Sequence, residues 1–148
     1  MNLNNTKTIH EILKEVINSA KTASASQLEQ LEAQGPKFAV QDADLFGNPT
    51  SGIVGTMLDN CGGAYLTVSG KSKLVRDIKK CCENVGDKYR PEFRGEDWSL
   101  WKGVYKGYVL HLSVTNRQEM AVHISAMNVA QKRLAEFGYD TRVYSYID

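Results

Sequence analysis

Apolar residues near the start of the chain recur at intervals of three and four, which is the period of an amphipathic helix. They are Ile9, Ile12, Leu13, Val16, Ile17 and Ala20. Thr8 and Glu11 have the spacing of a capping box, so this helix should begin there. A second, shorter helix is expected at 24–34, because Gly35 and Pro36 follow it as a stop signal. The pattern therefore predicts an N-terminal helical hairpin.

The segment that follows loses this periodicity and is predicted to be a connector. A Gly-Asn-Pro turn at 47–49 divides it, with a short strand expected at 37–40 and a third short helix at 51–60. The domain organisation predicted from these patterns has two units. Residues 1–60 form the helical hairpin and connector, and residues 61–148 form an α+β domain.

Alternating and helical patterns follow one another in the second unit. Strands are expected at 64–69, 88–94 (an edge strand, because it contains Pro91), 98–105, 108–114 and 141–147. Helices are expected at 71–85, closed by Gly86, and from a capping box at Asn116 to Glu119 as far as Phe137, closed by Gly138. Read from residue 64, the order is β-α-β-β-α-β. The predicted fold class is therefore α+β, a two-layer ferredoxin-like sheet with an N-terminal helical extension.

Alternation along the strands assigns each side chain to one face of the sheet. The face expected to meet the helices carries Leu66, Val68, Tyr108, Leu110, Leu112, Val114, Val143 and Ile147. The opposite face carries the candidate binding residues Tyr65, Thr67, His111, Ser113, Arg142, Tyr144 and Tyr146. This second face is either an open binding surface or a second core layer beneath the N-terminal hairpin. Of these two, burial beneath the hairpin is the expectation.

Charge and cysteine content limit the partners and the compartment. The net charge of +1 provides no overall attraction to nucleic acid or to a membrane, although residues 1–60 carry −3 and residues 61–148 carry +4. Three cysteines are an odd number and do not form a disulfide framework, which indicates the reducing cytoplasm. No leader or membrane-spanning run is expected.

No cofactor or metal is predicted. The glycine-rich stretch at 47–55 matches neither a P-loop nor a dinucleotide fingerprint. The adjacent pair Cys81 and Cys82 lacks the two-residue gap typical of zinc chelation. The two His-x-Ser triplets at His111 and His123 have the form used by two-histidine phosphodiesterases, but one lies in a predicted helix, so no catalytic residue is assigned.

The stretch KGYVLHL at 106–112 resembles the third-strand motif of the RRM family, which begins with a basic residue, Gly and an aromatic residue. The fifth position is Leu110 rather than an aromatic residue. The alternation of side chains along the strand also places Tyr108 and Leu110 in the core. The family's RNA-binding positions are therefore not assigned to residues of this chain.

The leading functional hypothesis is a non-catalytic binding or regulatory protein that acts through a protein interface. Residue types enriched at such interfaces are present at Trp98, Trp101, Tyr105, Tyr144 and Tyr146. One alternative is single-stranded nucleic-acid binding through the open sheet face. Another is a small nucleotide-acting hydrolase or transferase with His111 as general base.

The last expectation concerns assembly. The strand at 141–147 should lie at an edge of the sheet, and it contains no Pro or Gly and a single charge at Arg142. An unprotected edge of this kind recruits another chain, so a homodimer or a complex with a target protein is predicted. In the alternative, the segment at 37–40 already pairs with this edge.

Overall fold

The protein is described by a computed structural model that covers residues 7–103 and 107–148. The three helices are α1 (Ile9–Gln34), α2 (Lys73–Cys81) and α3 (Met120–Glu136). The seven strands are β1 (Phe38–Ala43), β2 (Pro49–Met57), β3 (Gly62–Ser69), β4 (Glu92–Gly95), β5 (Trp98–Lys102), β6 (Gly107–Leu112) and β7 (Arg142–Ile147). The described part of the chain is therefore α+β, as the sequence predicted.

Helix α1 is one continuous helix of 26 residues, so the predicted helical hairpin is wrong. Its start is as expected, because the Thr8 hydroxyl accepts the Glu11 amide at 3.2 Å. The segment at 22–26 combines Thr22 and two serines with Ala23 and Ala25, which favour a helix, and it contains no Gly or Pro to end the helix. Ser24 is buried there, and its hydroxyl donates to the Lys21 carbonyl at 2.7 Å, which leaves the helical backbone intact.

Strands β1 and β2 form a separate two-stranded antiparallel sheet, called here the hairpin arm. The strand expected at 37–40 is present in longer form, but the helix expected at 51–60 is wrong. The reason is local, because this segment combines glycines with Ile53, Thr56 and other β-branched residues that disfavour a helix. The turn is held by the Asp44 carboxylate, which accepts the amides of Phe46 and Asn48 at 2.9 and 3.0 Å.

The main sheet has five strands in the order β4-β5-β6-β3-β7, and every neighbouring pair is antiparallel. Strand β4 forms a hairpin with β5, so three strands separate α2 from α3. The observed order is β-α-β-β-β-α-β. All five expected strands are present, so the simple β-α-β-β-α-β order that was read from them counted one strand too few.

All three helices contribute to one core on one face of this sheet. Leu66, Val68, Leu110 and Leu112 are buried there as predicted, together with Tyr108 and Val114. The prediction fails for Ile147, which is 66% exposed because β7 is the last strand of the sheet. Helix α1 buries its apolar stripe in this same core and packs mainly against α3.

The start of α3 is not built as predicted. Glu119 occupies the N-cap position without a side-chain cap, and its carboxylate instead pairs with the Arg117 guanidinium at 2.5 Å. The cap comes from a distant part of the chain, because the buried Asp59 carboxylate accepts the Ala121 amide at 2.8 Å. The predicted capping box at 116–119 is therefore wrong.

The glycines that were expected to close the two helices behave differently. Gly138 has a φ of 87° and follows α3 as expected. Helix α2 already ends at Cys81, and Gly86 lies in a loop held by the Asn84 side chain, which accepts the amides of Gly86 and Glu92 at 2.9 and 3.0 Å.

Candidate functional site: an uncovered tyrosine surface

The face of the main sheet opposite the helices carries a cluster of tyrosines from β3 and β7. Tyr65 lies directly opposite Tyr144 in the strand register, and the two rings stack with centroids 5.1 Å apart and an interplanar angle of 27°. The Tyr146 ring lies 6.1 Å from that of Tyr65. We call these three residues the tyrosine surface.

A glycine allows Tyr146 to take this position. Gly63 lies opposite Tyr146, and a Cβ at residue 63 would overlap the Tyr146 ring. The phenol of Tyr146 therefore lies over the backbone of β3, next to Tyr65. Alternation along the strands predicts both tyrosines on this face, whereas the need for a glycine at residue 63 arises only from the contact with Tyr146.

The tyrosine surface is open to solvent, so the expectation that an N-terminal hairpin covers it is wrong. Tyr144 is 52% exposed and Tyr146 is 43% exposed, whereas Tyr65 is half-buried between them. Burial raises the pKa of Tyr65, and the neighbouring Tyr144 and Tyr146 raise it further. Helix α1 lies on the other face, where its buried apolar stripe packs mainly against α3.

Strands β5 and β6 extend this face with Trp101 and His111, whose ring centroids lie 6.2 Å apart. A shallow depression of about 610 Å³ runs between Trp101 and Tyr65 and is floored by Val109 and Thr67. Burial lowers the pKa of His111, and the nearby His123 lowers it further. Alternation along β5 indicates that Trp101 belongs to this face, although it was not included among the candidate residues.

The remaining predicted site residues lie at the rim. Arg142 is exposed and sits opposite Thr67 in the register. It also borders a second depression, of about 560 Å³, beside Lys71 and Lys73 at the start of α2. Ser113 lies beyond the end of β6, and its amide donates to the Asp97 carbonyl at 2.8 Å. The structure thus brings six of the seven candidates together, with Ser113 at the periphery.

The surroundings of His111 bear on the catalytic alternative. His111 is only partly accessible to solvent on this face, and it is not among the described residues that line the 610 Å³ depression. The second histidine of the two His-x-Ser triplets, His123, has its Nε2 atom 2.7 Å from the Arg117 carbonyl oxygen. This nitrogen of His123 is thus already paired with the backbone.

Two strand features are exposed: the outer edge of β7 and the tip of the hairpin arm. Strand β7 ends the main sheet, and in the described part of the chain no strand pairs with its outer edge. The alternative in which the segment at 37–40 pairs with this edge is wrong, because β1 pairs with β2. The hairpin arm exposes Leu45 and Phe46 at its tip, with exposed fractions of 101% and 89%.

No protein-family model, curated protein or solved structure matches this chain. None of the helices in the described residues combines the length and the apolar character needed to cross a lipid bilayer.

Proposed function

We propose that this chain is a non-catalytic binding protein that acts through a protein interface formed by β7 and the tyrosine surface. One observation carries the proposal. Tyr144 and Tyr146 belong to the same strand that ends the sheet, so the free backbone edge and the aromatic surface are continuous. Edges of this kind add a strand from another chain, and tyrosine is enriched at the centre of interfaces.

The partner to which we commit is a second copy of the chain, paired antiparallel through β7 about a two-fold axis at Ser145. This register is self-complementary. It places Arg142 opposite Asp148 of the partner subunit, Val143 opposite Ile147 of the partner subunit, and Tyr144 opposite Tyr146 of the partner subunit. Each favourable cross-strand pair contributes about 0.2–1 kcal/mol, and the six pairs act together. Ile147, which is 66% exposed in the single chain, would gain an apolar neighbour.

A charge swap tests this register. Arg142→Asp places two carboxylates opposite each other and should weaken the dimer, whereas the double variant Arg142→Asp, Asp148→Arg restores opposite charges and should restore dimerisation. Sedimentation equilibrium at micromolar concentrations gives the dissociation constants. A protein that is monomeric at tens of micromolar, or swap variants that dimerise equally, would contradict the proposal.

Cross-linking provides a second readout. With Ser145→Cys in a Cys61→Ser background, the two introduced thiols lie directly opposite each other, at a spacing that a disulfide spans with little movement. Mild oxidation should give a covalent dimer. Lys132→Cys, on the exposed face of α3, is the matched control and should remain monomeric.

A second candidate function is single-stranded nucleic-acid binding on the same face. The observation that favours it is the stacked pair of Tyr65 and Tyr144 on an uncovered sheet, with Arg142 and the lysines at the start of α2 at its rim. A labelled oligonucleotide should then bind at low salt, with affinity that falls steeply as salt rises. Tyr144→Ala should weaken binding, whereas Tyr89→Ala, exposed in a loop, should not. No binding at low salt would exclude this function.

We also propose that β3, α2, β5, β6, α3 and β7 correspond to a ferredoxin-like unit with β4 as an added edge strand. The sheet order β5-β6-β3-β7 and its antiparallel pairing support this correspondence. The cytoplasm is the proposed location, because the three cysteines are free thiols.

A further inference from the structure

The start of α1 and the end of α2 bring a histidine and two cysteines together. His10 lies in the first turn of α1, Cys81 is the last residue of α2, and Cys82 follows at its C-cap. The Sγ atoms of Cys81 and Cys82 lie 3.7 Å apart, and the Cys82 Sγ atom lies 3.6 Å from the His10 Nε2 atom. All three ligand atoms lie within 4.8 Å of one another.

These distances match those between ligands of a tetrahedral zinc ion. With Zn–S bonds of about 2.3 Å, Zn–N bonds of about 2.05 Å and tetrahedral angles, two sulfur ligands lie about 3.8 Å apart, and sulfur and nitrogen ligands lie about 3.6 Å apart. Both of the short distances in the cluster agree with these values. The side chains could therefore close on an ion with little movement of the backbone.

The backbone around the cluster is held in place. The Cys82 amide donates to the Ile78 carbonyl at 2.9 Å, and the Cys82 side chain packs against the core. The His10 ring lies 6.2 Å from the ring of the buried Trp98. Cys81 and His10 are exposed, so a fourth ligand position would face solvent. Such a site is partly preformed and accessible.

We propose that His10, Cys81 and Cys82 bind one Zn²⁺ ion, with water as the fourth ligand. Two thiolates and an imidazole are the donor set that zinc prefers, whereas Mg²⁺ and Ca²⁺ require oxygen ligands. Two thiolates also neutralise the charge of the ion. The ion would join α1 to α2, two helices that are 72 residues apart in the chain at this point. This site is independent of the interface on the opposite face of the sheet.

Cobalt substitution tests the coordination directly. The full chain, reduced and free of metal, is titrated with Co²⁺ under anaerobic conditions. We expect one equivalent to bind, with intense visible bands of tetrahedral cobalt and a near-ultraviolet thiolate charge-transfer band, and Zn²⁺ should abolish both bands. Faint bands of octahedral cobalt, or no thiolate band, would overturn the proposal.

Substitutions locate the site. Loss of a residue that supports a metal ligand already weakens affinity about 10–100-fold, so Cys81→Ser and Cys82→Ser should each weaken Zn²⁺ binding by more than about 100-fold. His10→Gln, at an exposed position, removes the imidazole ligand and should weaken Zn²⁺ binding and the tetrahedral cobalt bands without unfolding the protein. Cys61→Ser is the matched control, because Cys61 lies beside Gln118 in another part of the fold.

The thermal midpoint provides a readout that does not depend on colour. Because Zn²⁺ would bind only the folded chain tightly, saturating Zn²⁺ should raise the midpoint of the wild-type protein and of Cys61→Ser, but not that of Cys82→Ser or His10→Gln. An equal rise in all four proteins, or a loss of binding in Cys61→Ser alone, would place the metal elsewhere and contradict the proposal.

Discussion

The contact between Asp59 and the start of α3 allows a prediction with a defined magnitude. Asp59 is 9% exposed, its carboxylate accepts the Ala121 amide at 2.8 Å, and Lys37 lies 3.4 Å away. A hydrogen bond to a charged group contributes about 1.5–3 kcal/mol, and this contribution already includes much of the helix-dipole effect. The partly exposed lysine adds at most about 1 kcal/mol. The Asn side chain keeps a neutral acceptor for the Ala121 amide, so Asp59→Asn loses only the contribution of the charge and should lower the free energy of unfolding by about 1–2 kcal/mol.

This loss corresponds to a decrease of about 2–8 °C in the thermal midpoint of a chain of this size. Urea unfolding at pH 7, followed by far-ultraviolet circular dichroism, measures the free energy. Asp42→Asn, on the exposed strand β1, is the control and should change stability by less than about 0.5 kcal/mol. Lys37→Met removes the ion pair but keeps the hydrogen bond to the Ala121 amide, so its loss of stability measures the contribution of the ion pair alone.

The same contact predicts a pH dependence. Burial raises the pKa of Asp59, but the amides of Ala121 and Asn60 and the nearby Lys37 outweigh this effect, so the folded pKa lies below the ordinary value. A lowered folded pKa means that the stabilisation is present above the unfolded pKa of about 3.9 and is lost as the pH falls through the folded value. Asp59→Asn should thus lose less stability than the wild type on acidification. Equal acid sensitivity, or a change at pH 7 within 0.5 kcal/mol of the control, would refute this account of the α3 cap.

Two further predictions concern the core. Leu100 is completely buried, so Leu100→Ala should lower the free energy of unfolding in urea by about 2–5 kcal/mol. Ile53 in the hairpin arm is 66% exposed, so Ile53→Ala should lower it by less than about 0.5 kcal/mol. Similar losses for the two variants would mean that the arm is packed in solution. The buried Tyr139 hydroxyl donates to the Asp77 carboxylate at 2.6 Å, so Tyr139→Phe should lower stability by about 1–2 kcal/mol in the same assay, and no measurable loss would argue against this bond.

Local sequence patterns were sufficient to predict several elements. The stripe from Ile9 to Ala20, the alternation in β3 and β6, and the positive φ at Gly138 depend on neighbours within a few residues. The membership of the tyrosine surface followed from the same alternation, because a strand fixes which side chains share a face. The α+β class, the start of α1 and the shared face of six candidate residues were therefore accessible from the sequence.

Other features depend on contacts between distant parts of the chain. Glu119 has the spacing of a capping residue, but it pairs with Arg117, and the cap is supplied by Asp59 from 62 residues away. The face on which α1 packs depends on α3, its main partner, which lies far from α1 in the chain. His10 meets Cys82 only through that packing. The sequence by itself determined which residues share a helix stripe or a strand face. The tertiary structure decided which stripe meets which face, because that choice depends on complementary shapes built from residues far apart in the chain.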